Sequence, residues 1–285
     1  MAKEHHAEPP QADIHERVSA QFAAAATAYS SSLTHSDPGA LSRVVELVAP
    51  QPSDVVLDIA TGAGHTALAL APHVSKVIAY DLTGAMLAET RRNAAAREIT
   101  NVSTQQGAAE SLPFPENTFD IVIVRQAPHH FADARAAVRE MARVAKPGGR
   151  VIIIDSTTPE DESLDREWND IERLRDPSHV RNYRPSEWRE IVSHAGLHVT
   201  FEELSFATEQ GRPMDFASWV RRSNTPAAAA AEVTRRFREA SPALAAALRI
   251  QTIEGALYFC VPQITIAATK SQISRHAASR RPPGV

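Results

Sequence analysis

The residues best suited to chemistry lie in VVLDIATGAGHTALAL, Val55 to Leu70. Asp58 stands four residues before Gly62, and Gly62, Gly64 and Ala67 fit the spacing G-x-G-x-x-G/A. Asp81 follows at roughly the twenty-residue distance of a nucleotide-site acid. Glycines here permit a sharp reversal and let a ligand approach bare backbone. A helix starting just afterwards aims free N–H groups at that ligand. An acidic residue at Asp81 can accept two ribose hydroxyl hydrogens. The glycines alone fit a nicotinamide dinucleotide. Asp58 argues against it, because a carboxylate there repels a pyrophosphate. It suits a ligand carrying an ammonium and a sulfonium and no phosphate, which describes S-adenosylmethionine. The plainer alternative for Asp58 is a solvated turn aspartate.

A second candidate group is RQAPHHFAD, with Arg125, His129 and His130. Adjacent histidines diverge, so at most one is expected to face a reacting group. Imidazole titrates near neutrality and can take a proton from an attacking hydroxyl. His129, His130, His35 and His179 are the candidate bases, in that order. The plainer alternative is a histidine bonded to backbone. Tyr29 and His35 border the polar break SSSLTHSDP and read equally as substrate contacts or as surface loop. No metal is expected, since His129 and His130 lack partners at ligand spacing.

The elements that must position these groups follow from periodicity. Val55–Leu57 is a short β-prone run, as in a parallel strand covered on both faces. Further strands are expected at Lys76–Tyr80, Val102–Gln105, Asp120–Val124 and Val151–Ile154, with helices between them. This alternation predicts a doubly wound parallel α/β sheet. Two helices precede it, Asp13–Tyr29 and Ala40–Ala49, and form an extension that the sheet does not need and that can cover a ligand site. Beyond the fifth strand come a charged helix over Pro159–Asp176, the loop DPSHVRNYRPSEW, a strand over His198–Leu204, helices over Met214–Arg221 and Ala227–Ala240, and a last strand over Gly255–Ala268 with a bulge or edge at Pro262. The organisation expected is a disordered tail over 1–12, a helical lid over 13–50, a main domain over 51–269 with helical insertions at about 157–195 and 212–250, and a disordered basic tail over 270–285.

Composition narrows the classes. The 285 residues are 43% apolar and 22% charged, enough for a full core. A net charge of −4 supplies no global basic field for nucleic acid or a membrane surface. Cys260 stands alone, so no intrachain disulfide forms, which fits a cytoplasmic setting. No apolar run reaches the ~20 residues of a membrane span, and MAKEHHAEPPQ lacks the apolar core of a secretory signal.

DIATGAG, AYDLT, AESLPFPENTFDIV and KPGGRVIIID together resemble the class I S-adenosylmethionine-dependent methyltransferases. The branch most similar in pattern is the ubiquinone and menaquinone biosynthesis group. The resemblance spans roughly residues 15–268 and is strongest over 54–155. It implies a Rossmann-like seven-stranded sheet ending in an antiparallel β-hairpin. It implies cofactor contacts at Asp58, Ala60, Gly62, Gly64, Asp81 and Leu82 and near Ala109 and Glu110, with Arg125 at the cofactor carboxylate or a substrate anion. Many relatives carry an acid before the A-E pair; here it is Ala108, which leaves adenine to the Ala109 backbone and apolar packing, or to Gln106. Similar DPSHVR-type loops in that branch mark His179, Arg181 and Tyr183 as pocket residues.

Three function classes remain. The first is methyl transfer by direct displacement from S-adenosylmethionine, yielding S-adenosylhomocysteine, to a small-molecule acceptor, aromatic, quinone-like or other. The second is an NAD(P)-dependent oxidoreductase, and the third a catalytically silent S-adenosylmethionine-binding protein. A monomer or homodimer without a nucleic-acid partner is expected, since no basic–aromatic track is present.

Overall fold

The computed structural model describes residues 10–30, 36–207 and 212–271. The candidate His35 and most of the expected terminal tails lie outside them. In chain order the elements are α1 (Gln11–Ser30), α2 (Pro38–Val48), β1 (Val55–Ile59), α3 (His65–Leu70), β2 (Lys76–Asp81), α4 (Gly84–Ala96), β3 (Val102–Gln106), β4 (Phe119–Arg125), α5 (Ala134–Val144), β5 (Ala145–Ser156), α6 (Glu162–Arg175), α7 (Pro185–His194) and β6 (Leu197–Ala207). Then come β7 (Met214–Asp215), α8 (Phe216–Arg222), α9 (Ala227–Arg238), α10 (Pro242–Ala247), β8 (Gln251–Ile253), β9 (Ala256–Phe259) and β10 (Val261–Lys270).

Among the described residues, seven strands form the main sheet in the order β3-β2-β1-β4-β5-β10-β6. The first five are parallel; β10 runs antiparallel to both β5 and β6. This is the Rossmann-like α/β sheet expected, with the antiparallel pair at its end. Val56, Leu57, Ile121, Val122, Ile123 and Val124 are fully buried, because helices cover both faces of the central strands. The covering helices follow from sequence. In α5, Ala134, Ala137, Val138, Met141 and Val144 recur at helical spacing and are all buried. Asp133 caps that helix by accepting from Ala136 N at 2.9 Å.

Chain direction across the sheet reverses between β1 and β4: β1 leads outward to β2 and β3, and the chain then returns to β4 on the other flank. A crevice therefore opens at the carboxyl ends of β1 and β4. Asp58, Asp81, Arg125 and Asp155 all stand at or near these ends.

The C-terminal third departs from the expected elements. The stretch over Gly255–Ala268 is two strands, β9 and β10, joined at Cys260, whose N–H donates to Leu248 O at 2.8 Å. Strand β9 leaves the main sheet and pairs with β7 and β8. The β10 irregularity lies at Ala267/Ala268 rather than at Pro262, which pairs with Phe206 near the strand start. The helix expected from Met214 starts at Phe216, because Asp215 accepts from Ser218 N at 2.7 Å and caps it. Trp168, Trp219, Phe216, Phe237 and Phe259 form a separate apolar cluster with α8–α10. The inserted segments thus have a core of their own beside the crevice.

Candidate functional site

Two chambers that share part of their walls lie at the carboxyl edge of the sheet. The first encloses about 960 Å³ counted out to open solvent. Its floor is the turn after β1. Asp58 is 1% exposed. Its Oδ2 accepts from Thr61 Oγ1 at 2.5 Å and from Ala67 N at 3.0 Å. Burial pushes its carboxyl up to about 7, against the pull of Thr61, Arg125 and the Ala67 N–H. Asp58 is therefore no solvated turn residue. Asp81 at the end of β2 accepts from Gly62 N and Thr83 N, each at 2.8 Å. Burial likewise raises it, to about 6, against these two donors.

Backbone geometry explains the residue choices. Gly62 and Gly64 have φ of +57° and +85°, and a Cβ on Gly64 would lie 2.7 Å from Thr90 Cγ2. Gly107 is required for a different reason: a Cβ there would sit 1.9 Å from the Tyr80 hydroxyl. That hydroxyl donates to Ala108 O at 3.2 Å. Burial, then Glu110 and Glu140, push the Tyr80 phenol up to about 12, so it stays a donor.

Ala60, Leu82, Met86, Ala108 and Ala109 also line this chamber. Gln106, considered for adenine, instead donates from Nε2 to Leu82 O at 2.9 Å. Arg125 Nε donates to Thr66 Oγ1 at 3.0 Å, at the end of the chamber near Asp58. Glu110 has its side chain committed: Oε1 accepts from Ala132 N at 2.9 Å, and Oε2 meets His15 Nε2 at 3.2 Å.

The second chamber, about 650 Å³, shares Phe22, Tyr29, Gln126 and His130 with the first. His129 and Ser156 lie on its wall, with Arg175, Asp176, Met214 and Trp219 from the inserted segments. His129 Nδ1 donates to Asp155 Oδ1 at 2.6 Å and stands 3.2 Å from Ser156 Oγ, which itself donates to Asn182 Oδ1 at 2.5 Å. Pairing with a carboxylate places the ring proton on Nδ1 and leaves Nε2 as the basic nitrogen. Burial disfavours the His129 cation, but Asp155 outweighs burial and raises the imidazole above its ordinary value.

The other histidines differ. His130 Nδ1 donates to Ser178 O at 3.0 Å, and burial with His129 beside it holds the ring well below the ordinary value. His179 is held low by burial and then by His129 and His130; its Nε2 faces Asn169 Oδ1 at 3.2 Å and its buried Nδ1 has no partner among the described residues. It lines neither chamber but sits behind His129, ring centroids 5.6 Å apart. Arg181 and Tyr183, expected at the substrate, lie outside both chambers. Arg181 Nη2 is paired with Asp165 at 3.1 Å and Glu187 at 3.0 Å, and its guanidinium lies over the Tyr183 ring. Charge pairing within the insertion, which the loop sequence does not reveal, takes them away.

Sequence reasoning missed Asp155, His65, Phe22 and Gln126. Asp155 falls inside a run that reads as plain strand. His65 lies on the first chamber wall, and its buried Nδ1 has no partner among the described residues. Gln126 carries φ +56° and borders both chambers. Its place directly after β4 is the one signal that marks it. Among the described residues no group of three or more His, Cys, Asp or Glu is placed to hold a metal ion, and no helix is long and apolar enough to cross a membrane.

Comparison with known proteins defines the class. A family model described as "Methyltransferase domain" matches residues 57–153. Over 186 residues the chain is 43% identical to the uncharacterized methyltransferase YcgJ of Bacillus subtilis, covering 65% of this chain and 72% of that one. The crystal structure of YcgJ aligns with a TM-score of 0.75 at 37% identity, over 81% of this chain and 98% of that chain. The chain belongs to the class I S-adenosylmethionine-dependent methyltransferases, and S-adenosylmethionine is its cofactor. Over 124 residues it is also 36% identical to a ubiquinone/menaquinone biosynthesis C-methyltransferase, UbiE of Shewanella frigidimarina, covering 42% of this chain and 49% of that one. Family membership removes the nicotinamide reading, and the donor set agrees with it. Two buried carboxylates face the first chamber, a poor surface for a pyrophosphate and a good one for a cationic sulfonium with a free ribose.

Proposed function

We propose that this methyltransferase acts on a small-molecule acceptor seated in the second chamber, with His129 as the base. The observation that carries this reading is the part-buried His129–Asp155 pair on the wall of a chamber that shares Gln126 and His130 with the cofactor cavity. In the first chamber, Asp81 would hold the ribose hydroxyls, Asp58 would balance the positive charge, and Arg125 with His65 would take the carboxylate. Bound S-adenosylmethionine supplies an electrophilic methyl carbon on a sulfonium that departs as a neutral thioether. The remaining task of the chain is to hold donor and acceptor in line and to remove a proton. His129 Nε2 takes the acceptor proton, and Asp155 stabilises the imidazolium that results. His130 is too weak a base for this step and serves as a wall between the chambers.

The test is transfer of tritiated methyl from S-adenosylmethionine to a panel of phenols, amines and carbon acids. At least one acceptor should be labelled, and His129→Ala should lower its rate by about 10²–10³. The base must be neutral to act, so the rate should fall as pH drops through the raised His129 value. Asp155→Asn should move that acid limb to lower pH, since the partner that favours the cation is gone. Tight S-adenosylhomocysteine binding with no label on any acceptor would overturn the reading in favour of a silent cofactor-binding protein.

A further inference from the structure

Helix α1 supplies His15, Val18, Phe22 and Tyr29 to the wall of the cofactor chamber, and Phe22 and Tyr29 to the acceptor chamber as well. One element thus roofs both. Polar ties are spread along its length. His15 meets Glu110 at 3.2 Å, Gln21 Nε2 donates to Ser223 O at 2.9 Å, Thr27 Oγ1 donates to Glu89 at 3.2 Å, and Tyr29 O stands 3.2 Å from His65 Nε2. Phe22 packs edge-on against His130 at 4.9 Å.

The His15 tie differs in what its partner also holds. Glu110 has a side chain 6% exposed, and its two oxygens have different partners. Oε2 holds His15 of the roof. Oε1 accepts from Ala132 N at 2.9 Å and Asp133 N at 3.3 Å, the backbone that directly follows His129 and His130. One buried carboxylate therefore joins the roof to the loop that places the histidine pair.

We propose that Glu110 is a positioning residue that latches α1 over the cofactor chamber through its Oε2 on His15 and, independently, seats the 131–133 backbone through its Oε1. Cofactor exchange then requires the His15–Glu110 contact to open. This inference rests on the cofactor chamber alone and does not depend on which acceptor is methylated or on His129 being the base.

The probe is tritiated S-adenosylhomocysteine, its dissociation followed by displacement with excess unlabelled ligand, together with amide hydrogen exchange on the full chain. His15→Ala should speed dissociation by at least about fivefold, as expected for a lost charge-assisted hydrogen bond. It should also raise exchange across residues 11–30 while leaving 128–133 protected. His15→Gln keeps an N–H donor within reach of Glu110 and should restore dissociation to within about twofold of wild type. Glu110→Ala should accelerate dissociation and expose both segments to exchange. Dissociation from His15→Ala within twofold of wild type would overturn the latch. So would failure of His15→Gln to rescue, or exposure of α1 without the 131–133 amides in Glu110→Ala.

Discussion

At the scale of single residues, buried carboxylates dominate. Asp58 is raised to about 7 by burial, so near neutral pH a large share of the ligand-free protein carries it protonated. A cationic cofactor favours the ionised form, so its binding should expel a proton. Affinity should fall as pH drops below about 7, by at most about tenfold per pH unit for one group. Calorimetry at pH 6.5 in buffers of different ionisation enthalpy should detect this proton release, and Asp58→Asn should remove most of it, leaving the smaller share from Asp81, which burial raises to about 6. Gly107 makes a steric claim instead. Gly107→Ala should cost about 1–3 kcal/mol, because the new methyl overlaps the Tyr80 hydroxyl. Tyr80→Phe in the same chain should recover part of the loss, since it removes the atom in nearest contact. Urea unfolding of the two variants and the double variant measures the coupling.

At the scale of elements, the inserted segments carry their own core. Trp168 is fully buried in the cluster with Trp219, Phe237 and Phe259, whereas the central strands pack into different clusters. Trp168→Ala should therefore cost about 3–5 kcal/mol locally. Hydrogen exchange should rise in α6 and α8–α10 but not in β1 or β4, because the cavity opens in a unit that unfolds separately from the sheet. S-adenosylhomocysteine affinity should stay within threefold, since this cluster contributes no wall to the first chamber. A collapse of the whole molecule in one transition would contradict this division.

At the scale of the whole molecule, ligand and stability are linked. S-adenosylhomocysteine at ~100 times its dissociation constant should add about 2.7 kcal/mol, or roughly 4–5 °C in the melting midpoint of a chain this size. Asp81→Ala should remove that shift, because two hydroxyl partners and a turn-holding acceptor for Gly62 N and Thr83 N are lost together. NAD and NADP should produce no shift with either chain.

The first chamber, which we propose holds the cofactor, was the most legible part, for a physical reason. Its groups lie within a few residues of strand ends and tight turns, where local spacing sets position: Asp58 near the end of β1 and Gly62 just past it, Asp81 closing β2, Ala108 after β3. Short apolar runs and a period of 3.6 likewise mark the parallel strands and most helices. The acceptor side was not legible, because it is assembled from distant segments. Asp155 reaches His129 only because β5 runs beside β4. Arg181 and Tyr183 turn away because Asp165 and Glu187, on α6 and α7, pair with the arginine. The second chamber exists because α1, the end of β4 and the inserted helices converge. Sequence alone determined the family, the sheet and the turns that line the first chamber, since these follow from short-range pattern. Which histidine meets a carboxylate, and which element roofs the site, were decided by tertiary packing, which no local spacing encodes.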